Sequence, residues 1–170
     1  TRRSEDMQSY QQFSTPVGLA WVAGFAADFR PSELVLEPSA GTGLLAILAD
    51  LAGCRLALNE VADVRAALLG SLFEGSPVSM HDAAHIHDRL DADLVPSCIV
   101  MNPPFHQSRA ADPAIGHAMI RAASNALKSG GQLFMVANRG LPYEPVLKAG
   151  FARVEELADE AGFRIWRARR

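Results

Sequence analysis

The stretch Leu34-Val35-Leu36-Glu37-Pro38-Ser39-Ala40-Gly41-Thr42-Gly43 constrains this chain more than any other. Leu34, Val35 and Leu36 read as a short buried strand, and the glycines that follow read as a tight turn opening a helix from Leu44 to Leu51. A strand, a glycine turn and a helix in succession bring backbone N–H groups and a helix N-terminus to the carboxyl edge of a parallel sheet, where nucleotide-like ligands dock. Gly41 and Gly43 let the main chain approach such a ligand and turn without a Cβ clash. No Gly-Lys-Ser/Thr follows, so the stretch is not a Walker loop. Ser39 stands where the dinucleotide fingerprint has its first glycine. A plain strand-to-helix turn would carry the same glycines, so the stretch alone does not name a ligand.

The flanking sequence repeats the theme. Polar residues 1–15 precede a helix expected from Val17 to Phe29, with Leu19, Val22, Phe25 and Ala26 on one face, Thr15 as its N-cap and Pro16 at its first position. Further strands are expected at Arg55–Leu58, Val78–His81, Cys98–Met101, Gln132–Ala137 and Phe151–Leu157. Helices are expected at Val61–Phe73, Asp112–Leu127 and Pro142–Ala149. Phe163 to Ala168 alternates apolar and polar residues, as a half-buried last strand should. Strands alternating with helices predict an α/β fold with a doubly wound, mostly parallel sheet. No repeat, low-complexity tract or linker interrupts the pattern, which predicts one domain over residues 1–170.

The totals exclude several classes. A chain of 170 residues, 49% hydrophobic and 21% charged, suits a soluble globular domain with a substantial core. It shows no apolar run long enough for a bilayer and no secretory leader, so no membrane role and a cytoplasmic location are expected. Cys54 and Cys98 lack zinc spacing and read as reduced thiols in buried strands. A net charge of −3 argues against a stand-alone nucleic-acid binder, which would carry a basic footprint.

Asn102-Pro103-Pro104-Phe105, placed at the end of the fourth strand, is the sharpest chemical signal. Two prolines fix the backbone and leave carbonyls without neighbouring donors. The Asn102 side-chain oxygen and the Pro103 carbonyl can together accept both hydrogens of an NH2 group, and Phe105 offers a face on which a planar base can stack. With the acidic Glu37 and Ser39-Ala40-Gly41-Thr42-Gly43 upstream, the chain resembles class I S-adenosylmethionine (SAM) dependent methyltransferases, and Asn102–Phe105 resembles motif IV of those that act on amines. That resemblance implies a Rossmann-like sheet of seven strands with an antiparallel last strand. It implies a cofactor-binding half at 31–101 and a substrate-side half at 102–170, after an N-terminal arm and helix at 1–30. Glu37, Pro38, Ser39, Ala40, Gly41 and Gly43 would hold the methionine portion of SAM, Asn59 and Glu60 the ribose, and Asp82 with Ala83 the adenine; Asn102 would border the cofactor as well as the amine.

The resemblance divides near Asn102. Residues 102 to 170, through Asn102-Pro103-Pro104-Phe105-His106-Gln107, Val136-Ala137-Asn138-Arg139 and Leu141-Pro142-Tyr143-Glu144, resemble small-subunit ribosomal RNA guanine-N2 methyltransferases. Residues 1 to 105, with Gln11-Gln12-Phe13-Ser14-Thr15-Pro16, resemble the methyltransferase domain of bacterial strawberry-notch-type helicase proteins, akin to adenine-N6 DNA methyltransferases. In such enzymes the Thr15 region would close over the methionine carboxylate. Two lineages recombined near Asn102 are therefore expected. Guanine N2 of ribosomal RNA is the preferred target, adenine N6 of DNA the alternative, and a SAM-binding fold without turnover the reading from outside catalysis. The ribosomal enzymes carry an additional amino-terminal domain, so a further domain or subunit is expected to supply recognition. His81, His85 and His87 with Asp82 and Asp88 match no ligand template, and no metal is expected. Arg164, Arg167, Arg169 and Arg170 read as a solvated strand face, and Trp21 and Trp166 as packing residues.

Overall fold

The computed structural model describes residues 15–104 and 113–170. In chain order the elements are α1 Val17–Ala27, β1 Leu34–Glu37, α2 Ile47–Leu51, β2 Arg55–Asn59, α3 Asp63–Leu72, β3 Val78–Ser79, a 3-10 segment Ala83–Asp88, β4 Cys98–Met101, α4 Ala114–Ala126, β5 Gln132–Asn138, α5 Glu144–Gly150, β6 Arg153–Glu160 and β7 Phe163–Arg169. The strands form one seven-stranded sheet in the order β3-β2-β1-β4-β5-β7-β6. Pairs β2–β3, β1–β2, β1–β4 and β4–β5 are parallel, whereas β7 runs antiparallel to both β5 and β6. This is the expected α/β sheet with its antiparallel last strand.

Both faces of the sheet are covered, which is why β1 and β4 are buried at every position. The period of two sorts each strand between two cores. Leu34 and Leu36 of β1, Ile99 and Met101 of β4, and Leu133 and Met135 of β5 pack with Met119, Ile120 and Leu147 of α4 and α5. Val35, Cys98, Val100, Phe134 and Val136 pack on the other face with Ala20 and Ala23 of α1, Ala49 of α2 and Leu69 of α3. Register carries the split into β7: Met135 opposes Trp166 on the first face and Val136 opposes Ile165 on the second. Burial thus confirms Trp166 as a packing residue.

Several expectations shift. Helix α1 buries its small residues Ala20, Ala23 and Gly24, while Phe25 is 78% and Trp21 59% exposed. Its sequence is apolar all round, so hydrophobicity cannot choose a face; close approach does. A Cβ on Gly24 would lie 2.6 Å from Leu48 Cδ1. Trp21 is therefore not a core residue. Cys54 precedes β2 and is only half-buried, whereas Cys98 is buried in β4. The sixth strand begins at Arg153 rather than Phe151, and the third is two residues long. Strand β6, not β7, is the edge, and charged side chains and a bulge between Glu156 and Ala158 blunt it.

Candidate functional site at the carboxyl edge of the sheet

The carboxyl ends of β1, β2, β3 and β4 converge on one edge, and the glycine turn sits among them. Gly41 and Gly43 both hold left-handed backbone, at φ 58° and 79°. Their reasons for being glycine differ. A Cβ on Gly43 would lie 2.3 Å from the Phe73 ring and 3.2 Å from Leu69, so this glycine locks the turn onto α3. A Cβ on Gly41 would meet only the Arg65 guanidinium, at 3.3 Å. Gly41 is thus the less tightly enclosed of the two. Helix α2 starts at Ile47, not Leu44, because Gly43, Leu44 and Leu45 are still in the turn; the Gly43 carbonyl accepts from Ala46 and Ile47 N–H.

Asn59 ties three strand ends together. Its Nδ2 donates to the Pro38 carbonyl at 2.9 Å and to the His81 carbonyl at 2.8 Å. Its Oδ1 accepts from Ser79 Oγ and from His81 N–H, both at 2.8 Å. The side chain is 1% exposed and its hydrogen-bonding capacity is filled by protein. Its backbone carbonyl accepts from Ala40 N–H at 2.9 Å. Neighbouring Glu60 accepts from Gly41 N–H at 2.8 Å through Oε2 and from Ala62 N–H at 2.9 Å through Oε1. Each Glu60 oxygen keeps a second lone pair for a further donor.

Glu37 closes β1 as a buried carboxyl, 2% exposed. Burial pushes its pKa well above the usual carboxylate range; the Ala46 amide opposes the shift and the charge of Glu60 reinforces it. Glu37 Oε2 and Ser39 Oγ are buried without a hydrogen-bond partner among the described residues. Such unpartnered buried atoms are uncommon in protein interiors.

Asp82 follows His81, which Asn59 holds. It is exposed, and its Oδ1 accepts from Ala84 N–H at 2.9 Å, capping the 3-10 segment, while Ala83 packs half-buried on the core. Asn102 follows β4, with Pro103 buried behind it. Asn102 Nδ2 donates to Thr15 Oγ1 at 3.1 Å. Thr15 does not cap α1 as its sequence position suggests: Pro16 occupies the N-cap and no side chain caps the helix. Phe105 and His106 lie outside the described residues. Among the described residues no cluster of His, Cys, Asp and Glu could hold a metal. Two of the β7 arginines face β6: Arg167 bonds Glu155 at 2.7 Å, and Arg164 faces Glu156 and Asp159 at 3.6 and 3.5 Å.

Sequence reasoning missed the interlock of Phe73 with Gly43 and the brace of Ser79 and His81 on Asn59. An asparagine closing a buried strand was the available signal for the brace.

Known proteins resemble this chain in sequence and in fold. The family model "Methyltransferase small domain" matches residues 25–167, a range that includes Asn102. The Ribosomal RNA small subunit methyltransferase C of Cronobacter sakazakii is 35% identical over 141 residues, covering 79% of this chain and 40% of that protein. Its counterpart from Chromohalobacter salexigens is 33% identical over 136 residues, covering 80% and 40%. The chain therefore spans about 40% of the length of these relatives. In structure the chain is similar to the T. thermophilus 16S rRNA N2 G1207 methyltransferase (RsmC) in complex with AdoMet and guanosine, with a TM-score of 0.75 at 23% identity, over 93% of this chain and 44% of that one. It is also similar to TrmN from Thermus thermophilus, with a TM-score of 0.70 at 19% identity, over 100% and 54%. With strand order, glycine turn and family match in agreement, the chain belongs to the methyltransferase small domain family.

Proposed function

We propose that residues 1–170 form one SAM-dependent methyltransferase domain that transfers a methyl group to an exocyclic base amine, with guanine N2 of ribosomal RNA preferred. The observation that carries this reading is the placement of Asn102, at the end of β4, on the same sheet edge as the Gly41 turn and the orphaned carboxyl of Glu37. The curated relatives named as ribosomal RNA methyltransferases and the neighbour holding AdoMet and guanosine support the choice of substrate.

The site's chemistry suits the cofactor. SAM carries a sulfonium and an ammonium group, and a buried acid with an unpartnered oxygen favours a cationic guest. Glu37 and the Pro38, Ser39, Ala40, Gly41 and Gly43 turn would hold the methionine portion, and the spare lone pairs of Glu60 would take ribose hydroxyls. Asn59 serves this seat from behind by fixing Pro38 and His81, and Asp82 with Ala83 would border the adenine through their backbone. When bound, SAM supplies the electrophilic methyl group. The chain's part is to orient the amine: Asn102 Oδ1 and the Pro103 carbonyl accept its two hydrogens, which turns the nitrogen lone pair toward the methyl donor. Pro104 stiffens the turn, and Phe105 would stack on the base, worth about 1–3 kcal/mol.

Recognition of the RNA is assigned to a further domain or subunit, and action to the cytoplasm. No helix among the described residues is long and apolar enough to cross a membrane, and the Arg164 and Arg167 guanidiniums already face carboxylates. The junction of two lineages near Asn102 rests on the two resemblances alone; one family match whose range spans that position does not require it.

Tritiated-methyl transfer from SAM to ribosomal RNA, duplex DNA and protein extract, run side by side, tests the assignment. Incorporation into ribosomal RNA as N2-methylguanine is expected. Label in DNA as N6-methyladenine would move the substrate to the alternative. SAM binding without transfer to any pool would leave a cofactor-binding fold without turnover.

A further inference from the structure

Asn102 continues the row of Cys98 and Val100 on β4, because side chains alternate with a period of two. That row faces the core covered by α1, so the start of α1 and the end of β4 meet. At the meeting point Thr15 is buried, 9% exposed, and its hydroxyl oxygen accepts from Asn102 Nδ2 at 3.1 Å across 87 positions of sequence. The helix makes no use of this hydroxyl: Leu19 and Ala20 N–H bond the Pro16 carbonyl, and no side chain caps the terminus. A primary amide has a donor end and an acceptor end, and anchoring one end fixes where the other points.

We propose that Thr15 is a positioning residue: by accepting from Nδ2 it commits the Asn102 oxygen to the open sheet edge, where a substrate amine must be met by an acceptor and not by a second donor. The inference rests on the reading of Asn102 as the amine's acceptor and reassigns Thr15 from the cofactor's seat to the reacting amide. Valine keeps the shape of threonine but has no acceptor, whereas serine keeps the hydroxyl.

The test compares the parent chain with Thr15→Val and Thr15→Ser by three readouts: the Asn102 side-chain NH2 resonances and their hydrogen exchange, SAM affinity by calorimetry, and single-turnover methyl transfer at saturating SAM. In Thr15→Val the Asn102 NH2 resonances should shift and exchange faster. SAM affinity should stay within about twofold, and the transfer rate should fall about 10–100-fold, as expected for a misplaced reacting group. Thr15→Ser should match the parent in all three. If Thr15→Val fails to fold, Thr15→Ala removes the same acceptor with less bulk. Weaker SAM binding with an unchanged rate at saturation, or Asn102 resonances indifferent to Thr15→Val, would overturn the proposal. A parent that shows the protected NH2 but transfers no methyl group would uphold the contact and remove only the reading of Asn102 as the amine's acceptor.

Discussion

The two parts of the candidate site are held in different ways. At the β1–β2–β3 end, Asn59 alone makes four side-chain hydrogen bonds, Glu60 makes two, and Gly43 is clasped by Phe73 and Leu69. At the β4 end, the Asn102 side chain is held by the Thr15 hydroxyl. The first part is fixed by a network in which every member orients the next, so damage there spreads into stability. Among the described residues the second is held by this hydrogen bond, so damage there should appear in chemistry more than in stability. On the proposed function this division has a reason, since a turn that seats a cofactor must be prebuilt while an amide facing the substrate needs only its direction set.

The largest effect should come from breaking the network. Asn59→Ala removes bonds to Pro38, Ser79 and both backbone groups of His81, and should cost about 3–5 kcal/mol in urea unfolding. A loss below about 1 kcal/mol would mean that the brace is dispensable and the contrast false.

Next come the two glycines, which separate packing from ligand approach. Gly43→Ala drives a Cβ into Phe73 and keeps a positive φ, and should destabilise by about 2–4 kcal/mol. Gly41→Ala has only the backbone penalty and a movable Arg65 to displace, and should cost about 1 kcal/mol. Gly41→Val should still fold yet lose SAM in calorimetry, because its branched side chain occupies the ligand's approach. Unchanged SAM affinity in a folded Gly41→Val chain would remove the cofactor seat from this turn.

A smaller effect belongs to Glu37. Its folded pKa is raised above the unfolded value, so its contribution to stability is fully present below the unfolded carboxylate pKa and is lost as pH rises through the folded one. Glu37→Gln keeps the shape of the protonated acid without the titration. Thermal scans should show the variant gaining on the parent as pH rises above about 5. A constant difference between the two across pH would show that Glu37 does not titrate abnormally.

Much of this was legible in the sequence for a physical reason. Buried parallel strands are short apolar runs, and Leu34–Leu36, Cys98–Met101 and Leu133–Ala137 could be little else. The turn at Gly41 and Gly43 announced itself because only glycine holds those dihedrals comfortably. What escaped was decided by long-range contact. The face of α1 was set by the fit of Gly24 on Leu48 and not by hydropathy. Thr15 followed the local rule for a cap, but its hydroxyl had a partner far along the chain. Asp82, beyond the end of β3, also accepts from the Ala84 amide, a local bond that the reading of it as a strand-end contact had not foreseen. The Asn59 side chain, besides its expected place at the cofactor's edge, braces Pro38, Ser79 and His81.

The most direct measurement pairs SAM affinity with the methyl-transfer rate in Asn102→Ala. SAM is assigned to the braced side of the site, so its dissociation constant should stay within about twofold of the parent's. The rate should fall about 10²–10³-fold, the usual loss when one positioned hydrogen-bonding group is removed from a reacting centre. A chain that transfers methyl groups equally fast with Asn102→Ala, or whose loss of rate is explained by lost SAM binding, would contradict the account.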